Sequence, residues 1–194
     1  MVIAAPELIF ICRANRCRSP LAEHLARDKA YRLGLGVTVS SAGLLRPGEL
    51  TPQVGIRAAA QAGIDLSAHR SRRANADQLA RADLILTSGR AEARDLVAEL
   101  PETWPRVHPL RQFLRWAHEN PAPQGADFQA WVGQAAAGRS RTVLLGSSAA
   151  DDIADPMGRP ARAWRAAIGD LDRLIDQLLR SCSGALPELE AARR

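Results

Sequence analysis

The sequence has 194 residues, a length at which one folded domain can bury a substantial apolar core. Apolar residues make up 46% of it and charged residues 24%, a balance that excludes a disordered chain. The formal net charge of +5 comes almost entirely from arginine and favours anionic ligands, but no zinc-finger or RNA-module motif accompanies it, so we predict no nucleic-acid partner.

The cysteines and the apolar runs bear on where the protein works. The chain has three cysteines, Cys12, Cys17 and Cys182, and an odd number does not form the disulfide framework of a small secreted protein. The opening stretch MVIAAPELIFIC lacks the basic leader of a signal peptide, and no later apolar run has the length of a membrane span. We therefore predict a cytoplasmic protein with reduced thiols and no membrane partner.

Short β-rich runs alternate with segments of helical period from the start of the chain. A strand over ELIFIC is followed by a helix over SPLAEHLARDKAYRL, a strand over VTVSSAG and a helix over PQVGIRAAAQAG. The alternation continues through ADLILT at 82–87, RAEARDLVAEL and RVHPL at 106–110. This order predicts a small doubly wound, flavodoxin-like α/β domain, in which a four-stranded parallel sheet has helices on both faces.

The second half of the chain is less regular. Residues 118–150 contain a loop-forming HENPAPQG and a short helical ADFQAWVGQAAAG, and we interpret them as an insertion. From residue 160 to 179 apolar side chains recur on one helical face, which predicts a last helix packed on the sheet. We predict a single domain over residues 1–182 and a flexible tail over residues 183–194.

The turn after the first strand concentrates reactive and basic residues. Cys12 ends the strand, and Arg18 and Ser19 open the next helix. A tight turn between a strand and a helix can direct its backbone N–H groups inward, where they and the helix dipole hold an oxyanion. The Arg18 guanidinium matches two phosphate oxygens, and the same positive field favours the thiolate of Cys12, a nucleophile.

Four motifs together resemble one enzyme family. CRANRCRSP at 12–20, SAG at 41–43, GIDLSAHRSR at 63–72 and the Asp-Pro at 155–156 occur in the order found in the low-molecular-weight protein tyrosine phosphatases, in particular their bacterial branch. The resemblance implies that Cys12 forms a phosphocysteine, that Arg18 clamps the phosphate, and that Asp155 protonates the leaving group. It implies hydrolysis of a phosphomonoester, most often protein phosphotyrosine, with release of inorganic phosphate. We further expect a monomer with no cofactor and no metal.

The resemblance also assigns supporting roles. Asn15, at a position where a left-handed backbone is expected, would be held by Ser41 and His69. Ser19 would give its hydroxyl to the Cys12 thiolate. From the residues alone, Ser19 could instead cap the helix, and His69 could be an ordinary polar side chain.

Cys17 leaves three interpretations open. A zinc site lacks a second pair of ligands, whereas the family position of Cys17 implies a redox partner that protects Cys12 from over-oxidation. A small buried side chain without chemistry is the third.

Other positions in the turn depart from the family. Ala14 replaces a usual glycine and requires a negative φ. Arg13 and Arg16 favour acidic surroundings and repel a cationic phosphoarginine, the substrate of one bacterial branch. Phosphotyrosine-specific members line their groove with aromatic residues, which are missing here from the positions after the Asp-Pro and from LLRPGEL at 44–50.

Some alternatives stay open at this point. Asp151 or Asp152 could serve as the acid in place of Asp155. An arsenate reductase of the same fold would need a further cysteine, and only Cys182 is available for this. A non-catalytic module that binds phosphate is the rival outside the enzymes.

Overall fold

The computed structural model describes residues 5–189. The helices and strands, in chain order, are β1 (Glu7–Cys12), α1 (Arg18–Arg32), β2 (Thr38–Gly43), α2 (Gln53–Gln61), α3 (Ala76–Arg81), β3 (Leu84–Thr87), α4 (Arg90–Glu99), β4 (Val107–Pro109), α5 (Leu110–Glu119), α6 (Phe128–Ala136) and α7 (Ala161–Cys182).

The four strands form one parallel sheet in the order β2-β1-β3-β4. The chain order reverses beside β1, because β2 lies on one side of β1 and β3 on the other. In open α/β sheets the carboxyl ends of the strands at such a point form the usual ligand site. Cys12 is the last residue of β1 and pairs with Gly43, the last residue of β2.

The side chains of β1 alternate between two apolar cores. Leu8 and Phe10 belong to the larger core, which α1, α2, α5, α6 and α7 cover. Ile9 and Ile11 belong to the smaller core, on which α3 and α4 pack. Both faces of the sheet are therefore covered, and the predicted fold class is confirmed.

The last helix matches its prediction. Its apolar face is buried throughout and consists of Trp164, Ile168, Leu171, Leu174, Ile175 and Leu178. Residues 118–150 begin in the last turn of α5 and include α6, whose Phe128 and Trp131 pack in the larger core. Their status as an insertion stays an interpretation.

The structure differs from the expectations in two places. Helices α3 and α5 were not predicted; α3 is too short to show a period, whereas LRQFLRWAHE in α5 does place its buried residues at helical spacing. Residues 183–189, where we predicted a flexible tail, form backbone hydrogen bonds with the loop after α1: the Gly36 N–H donates to the Pro187 carbonyl at 2.6 Å and the Leu189 N–H to the Gly34 carbonyl at 2.7 Å. Residues 190–194 lie outside the described range.

Within residues 5–189, no helix combines the length and the apolar character needed to cross a bilayer.

Candidate active site

Residues 12–18, which we call the cradle loop, join β1 to α1. Among the described residues, no protein acceptor takes the backbone N–H groups of positions 13–17. These donors are available to an anion, and the N-terminal end of α1 at Arg18 adds the positive end of its dipole. The loop therefore has the chemistry of an oxyanion cradle.

The backbone of the cradle loop depends on Asn15 and Gly43. Asn15 has φ 51° and is the one non-glycine residue with positive φ between residues 5 and 189, as predicted. Ala14 avoids positive φ, so its methyl group is tolerated. A Cβ on Gly43 would lie 2.7 Å from the Asn15 backbone nitrogen, so only glycine lets β2 end this close to the loop.

Cys12 is buried at the end of β1, and the Ser19 hydroxyl hydrogen-bonds to its sulfur. The Ser19 hydroxyl lies 3.1 Å from the Cys12 Sγ and 3.2 Å from the Ala42 carbonyl oxygen, and it accepts a hydrogen bond from the Asn15 Nδ2 at 2.9 Å. The alternative of a helix cap does not describe Ser19, because Cys17 occupies the N-cap position and makes no side-chain cap. Ser19 is placed to donate to a thiolate.

Asn15 is held by four groups. Its Nδ2 also donates to the Ser41 Oγ at 2.8 Å, its Oδ1 accepts from the Arg72 backbone N–H at 2.8 Å, and its carbonyl oxygen lies 2.7 Å from the His69 Nε2. Ser41 and His69 thus lie where the resemblance implied. The structure brings this network together beneath the cradle loop.

Two residues of this network were not singled out from the sequence. The buried Glu23 carboxylate accepts from the Ser41 Oγ at 2.5 Å and from the Arg72 guanidinium at 2.6 Å, and Arg27 also pairs with it. The available signal for Glu23 was an acidic residue one helical turn after Ser19, and Arg72 lies in a segment that already carried the resemblance. The ionic partners are 49 residues apart and could not be paired from spacing alone.

Arg18 connects the cradle loop to a second loop. Its NH2 donates to the Asp155 Oδ2 at 2.8 Å, its NH1 donates to the Ile153 carbonyl oxygen at 3.3 Å, and its Nε is buried without an acceptor in the described chain. The buried Glu92 carboxylate, which was not predicted, lies 3.7 Å from the same NH2. The Asp155 carboxyl is 44% exposed and accepts from the Met157 N–H at 3.0 Å, which fixes its orientation.

The loop that carries Asp155 is anchored by the two preceding aspartates. Asp151 is fully buried and pairs with Arg90 and Arg115, and Asp152 accepts from the Arg90 backbone N–H at 2.9 Å. Burial opposes ionisation of Asp151, but the hydrogen bonds from Arg115 and Arg90 outweigh it and hold the pKa of this carboxyl below its usual value. Both aspartates are thus occupied by structural partners, and Asp155 is the one that pairs with Arg18.

The two other arginines of the cradle loop are tied to neighbouring elements. The Arg13 NH1 lies 2.5 Å from Asp95 on α4. The Arg16 Nε donates to the Leu50 carbonyl oxygen at 2.7 Å, and its NH1 lies 3.9 Å from Glu49. Both charges stay near the anion cradle, but each already has a partner.

The remaining cysteines are buried. Burial, with the neighbouring Cys12 and Asp155 charges, raises the pKa of the Cys17 thiol far above its usual value, so Cys17 is a neutral thiol beside the cradle. Burial raises the pKa of Cys182 to about 12, and its Sγ donates to the Leu179 carbonyl oxygen at 3.7 Å within α7. Cys182 lies in the larger core and is not the accessible thiol that arsenate reduction would need.

The positions at which the family resemblance led us to look for aromatic residues carry other side chains. Met157 packs against the larger core and Gly158 has φ 70°. Leu45 and Leu50, on the loop after β2, are 47% and 38% exposed. Among residues 5–189, no three His, Cys, Asp or Glu side chains are grouped to hold a metal ion.

Comparison with known proteins adds a family. Residues 7–124 match the family described as low molecular weight phosphotyrosine protein phosphatase. A probable low molecular weight protein-tyrosine-phosphatase, EpsP of Ralstonia solanacearum, is 33% identical over 115 residues, which are 59% of this chain and 77% of the relative. A protein-arginine-phosphatase of Geobacillus stearothermophilus is 30% identical over 175 residues, which are 88% of this chain and 92% of the relative.

The chain is also similar to an arsenate reductase and to a solved phosphatase structure. An arsenate reductase of Bacillus subtilis is 33% identical over 126 residues, which are 64% of this chain and 81% of the relative. The crystal structure of a low molecular weight protein tyrosine phosphatase from T. tengcongensis superposes with a TM-score of 0.69 at 25% identity, and the match covers 90% of this chain and 98% of that one.

Proposed function

Because the chain belongs to the low-molecular-weight phosphotyrosine protein phosphatase family of cysteine-dependent enzymes, we propose that it hydrolyses protein phosphotyrosine through a phosphocysteine on Cys12. One observation carries the proposal: the Ser19 hydroxyl meets the Cys12 Sγ at the base of an oxyanion cradle, and Arg18 joins that cradle to Asp155. A nucleophile, an anion clamp and a proton donor are thereby gathered at one edge of the sheet.

The first step transfers the phosphoryl group to sulfur. The phosphate enters the cradle loop, the Arg18 guanidinium turns from the Asp155 carboxylate to the phosphate oxygens, and the Cys12 thiolate attacks phosphorus. Asp155, which Arg18 has released and which has taken up a proton from solvent, gives that proton to the tyrosine oxygen as the phosphorus–oxygen bond breaks. Backbone N–H groups and Arg18 stabilise the charge of the transition state.

The second step hydrolyses the phosphocysteine and regenerates the free enzyme. Asp155, now a carboxylate, accepts a proton from a water molecule whose oxygen attacks the phosphocysteine. The sulfur–phosphorus bond breaks, inorganic phosphate leaves, and Cys12 is again a thiolate that the Ser19 hydroxyl stabilises. Asn15 fixes the hydroxyl of Ser19 through its Nδ2, which makes Asn15, Ser41 and Glu23 positioning residues.

The substrate is proposed to be phosphotyrosine rather than phosphoarginine, although a protein-arginine-phosphatase is among the relatives. The family match and the similarity to the phosphatase EpsP support phosphotyrosine. The charges of Arg13 and Arg16 do not decide the choice, because Asp95 and Glu49 face them. The proposal further has the enzyme act in the cytoplasm as a monomer.

The test measures hydrolysis of phenyl phosphate, 4-nitrophenyl phosphate and a phosphotyrosyl peptide. Cys12→Ser should abolish turnover, and Asp155→Asn should slow kcat by about 10²- to 10⁴-fold, with the smaller loss for 4-nitrophenyl phosphate because its leaving group needs less protonation. Asp77→Asn, which changes an exposed carboxyl on α3, is the matched control and should leave turnover unchanged.

Mass spectrometry of acid-quenched Asp155→Asn enzyme should find one phosphoryl group on Cys12. Wild-type turnover of phosphoarginine above that of phosphotyrosine would contradict the substrate assignment. Binding of phosphate without any turnover would favour the non-catalytic module, and thioredoxin-coupled reduction of arsenate would favour the reductase.

A further inference from the structure

Two hydrogen-bonded loops stand beside the cradle loop, one over residues 44–50 and the other over residues 66–73. The Gly48 N–H donates to the Ser71 carbonyl oxygen at 2.8 Å, the Ser71 N–H donates to the Glu49 carbonyl oxygen at 2.9 Å, and Leu50 pairs with Arg70 in an antiparallel bridge. We call these two loops the basic wall.

The basic wall is fastened directly to the cradle loop. The backbone N–H groups of Leu44 and Leu45 donate to the Arg13 carbonyl oxygen at 3.0 and 3.2 Å, and the Arg16 side chain donates to the Leu50 carbonyl oxygen. The basic wall therefore adjoins the place where the proposed phosphate would bind.

Three arginines of the wall have no ionic partner. Arg46, Arg70 and Arg73 are exposed, and none of them forms an ion pair with a residue of the described chain. The other arginines at this edge of the sheet differ in this respect, because Arg13, Arg16 and Arg72 each face a carboxylate. The charge that is free to meet a ligand thus lies on the wall and not in the cradle loop.

The same wall exposes apolar side chains. Leu45 is 47% exposed and Leu50 is 38% exposed, and both lie within a few residues of Arg46. The wall contains no Phe, Tyr or Trp on which a nucleic-acid base could stack, and its one imidazole, that of His69, contacts the Asn15 carbonyl oxygen. Guanidinium groups interspersed with leucines fit a peptide that carries both carboxylates and apolar side chains.

We propose that the basic wall binds an acidic segment of a substrate protein, so that the enzyme prefers phosphorylated residues flanked by Asp or Glu. The inference rests on the proposed phosphatase function and specifies the substrate of that site. An exposed guanidinium–carboxylate pair contributes a modest factor, and three such pairs together should change the apparent affinity by about 10-fold.

The experiment compares two phosphotyrosyl peptides, one with Asp and Glu at the flanking positions and one with Asn and Gln there, and uses 4-nitrophenyl phosphate to report the chemistry alone. Wild type should have a kcat/KM about 10-fold higher for the acidic peptide, and this preference should decline between about 50 and about 300 mM NaCl. The triple variant R46Q/R70Q/R73Q should lose the preference through KM, with kcat and the hydrolysis of 4-nitrophenyl phosphate unchanged.

A second triple variant, R81Q/R173Q/R180Q, removes the same charge from α3 and α7, away from the wall. It should keep the full preference, which separates recognition by the wall from the overall charge of the protein.

The proposal is overturned if wild type treats the two peptides alike, or if both triple variants lose the preference equally. It is also overturned if a single-stranded oligonucleotide displaces the acidic peptide more strongly than free acidic peptide does, which would assign the wall to nucleic acid. Binding of both peptides to Cys12→Ser, measured by fluorescence anisotropy, keeps the test independent of turnover. If wild type hydrolyses nothing, the proposed function fails, while a preference of Cys12→Ser for the acidic peptide still supports the wall.

Discussion

Replacement of Asp151 by alanine tests how the loop of the proposed acid is held. The Asp151 carboxylate is fully buried between Arg90 on α4 and Arg115 on α5, four residues before Asp155. Asp151→Ala removes the charge that both guanidinium groups share, and it loosens the attachment of the loop to the two helices.

The magnitude follows from the exposure of the three side chains. Loss of one partner from a buried ion pair costs about 3–5 kcal/mol, because the remaining charge is left unpaired. Here the Arg115 side chain is 54% exposed and the Arg90 side chain 24% exposed, so water takes over part of the lost interaction. We therefore expect the free energy of unfolding to fall by about 2–3 kcal/mol, below the range for a fully buried pair.

Urea unfolding at pH 7 measures this loss. With a slope of about 2 kcal/mol per molar urea, the midpoint of Asp151→Ala should lie about 1–1.5 M below that of wild type. The control is Asp28→Ala, which removes an exposed pair with Arg32 on α1 and should cost less than about 0.5 kcal/mol. The kcat of Asp151→Ala should also fall, since Asp155 is positioned less firmly.

The stability that Asp151 contributes should depend on pH. Because the pKa of Asp151 is lower in the folded protein than in the unfolded chain, its contribution is complete above the usual carboxyl range and is lost as the pH falls through the lowered value. The difference between wild type and Asp151→Ala should be constant above about pH 5 and shrink below about pH 4. A midpoint no lower than that of Asp28→Ala, or a difference that persists in acid, would refute the reasoning.

Three further predictions concern the cradle loop. Gly43→Ala, whose Cβ would lie 2.7 Å from the Asn15 nitrogen, should lower kcat for 4-nitrophenyl phosphate by more than about 10-fold while circular dichroism still reports a folded protein. Ser19→Ala, which removes the hydroxyl 3.1 Å from the Cys12 Sγ, should lower kcat by about 10- to 100-fold with KM little changed. A fall in kcat accompanied by an equally large rise in KM would point to misfolding instead. Hydrogen peroxide should inactivate wild type reversibly, because the Cys17 thiol converts a Cys12 sulfenic acid to a disulfide with release of water. After the same treatment, dithiothreitol should restore less activity to Cys17→Ser than to wild type. Equal recovery of the two proteins would argue against a redox role for Cys17.

The parts of the site that lie close together in the chain were predictable from the sequence. The distance from Cys12 to Arg18 is fixed by one turn between a strand and a helix, and asparagine at position 15 already indicated a left-handed backbone that the structure confirms. The alternation of β-rich and helical segments predicted the sheet, and the apolar face of α7 predicted a helix packed on it. Both predictions depend on local periodicity in the sequence.

The long-range partners were not predictable. Glu23 and Arg72 meet only because β2 and the following loops fold back onto α1, and the pairing of Arg13 with Asp95 depends on where α4 packs. The sequence does not show whether a given arginine will find a carboxylate partner in the fold. For this reason the sequence pointed to Arg13 and Arg16 for recognition, whereas the unpaired arginines lie on the basic wall.

The ion pair between Arg18 and Asp155 has a consequence for the choice among phosphate esters. The Arg18 NH2 donates to the Asp155 carboxylate, so any anion that binds this guanidinium must compete with that carboxylate. A phosphomonoester carries close to two negative charges at neutral pH and can outcompete a single carboxylate, whereas a phosphodiester or a sulfate ester carries only one. Under the proposed mechanism, this ion pair makes Asp155 a threshold that admits dianions and turns weaker anions away.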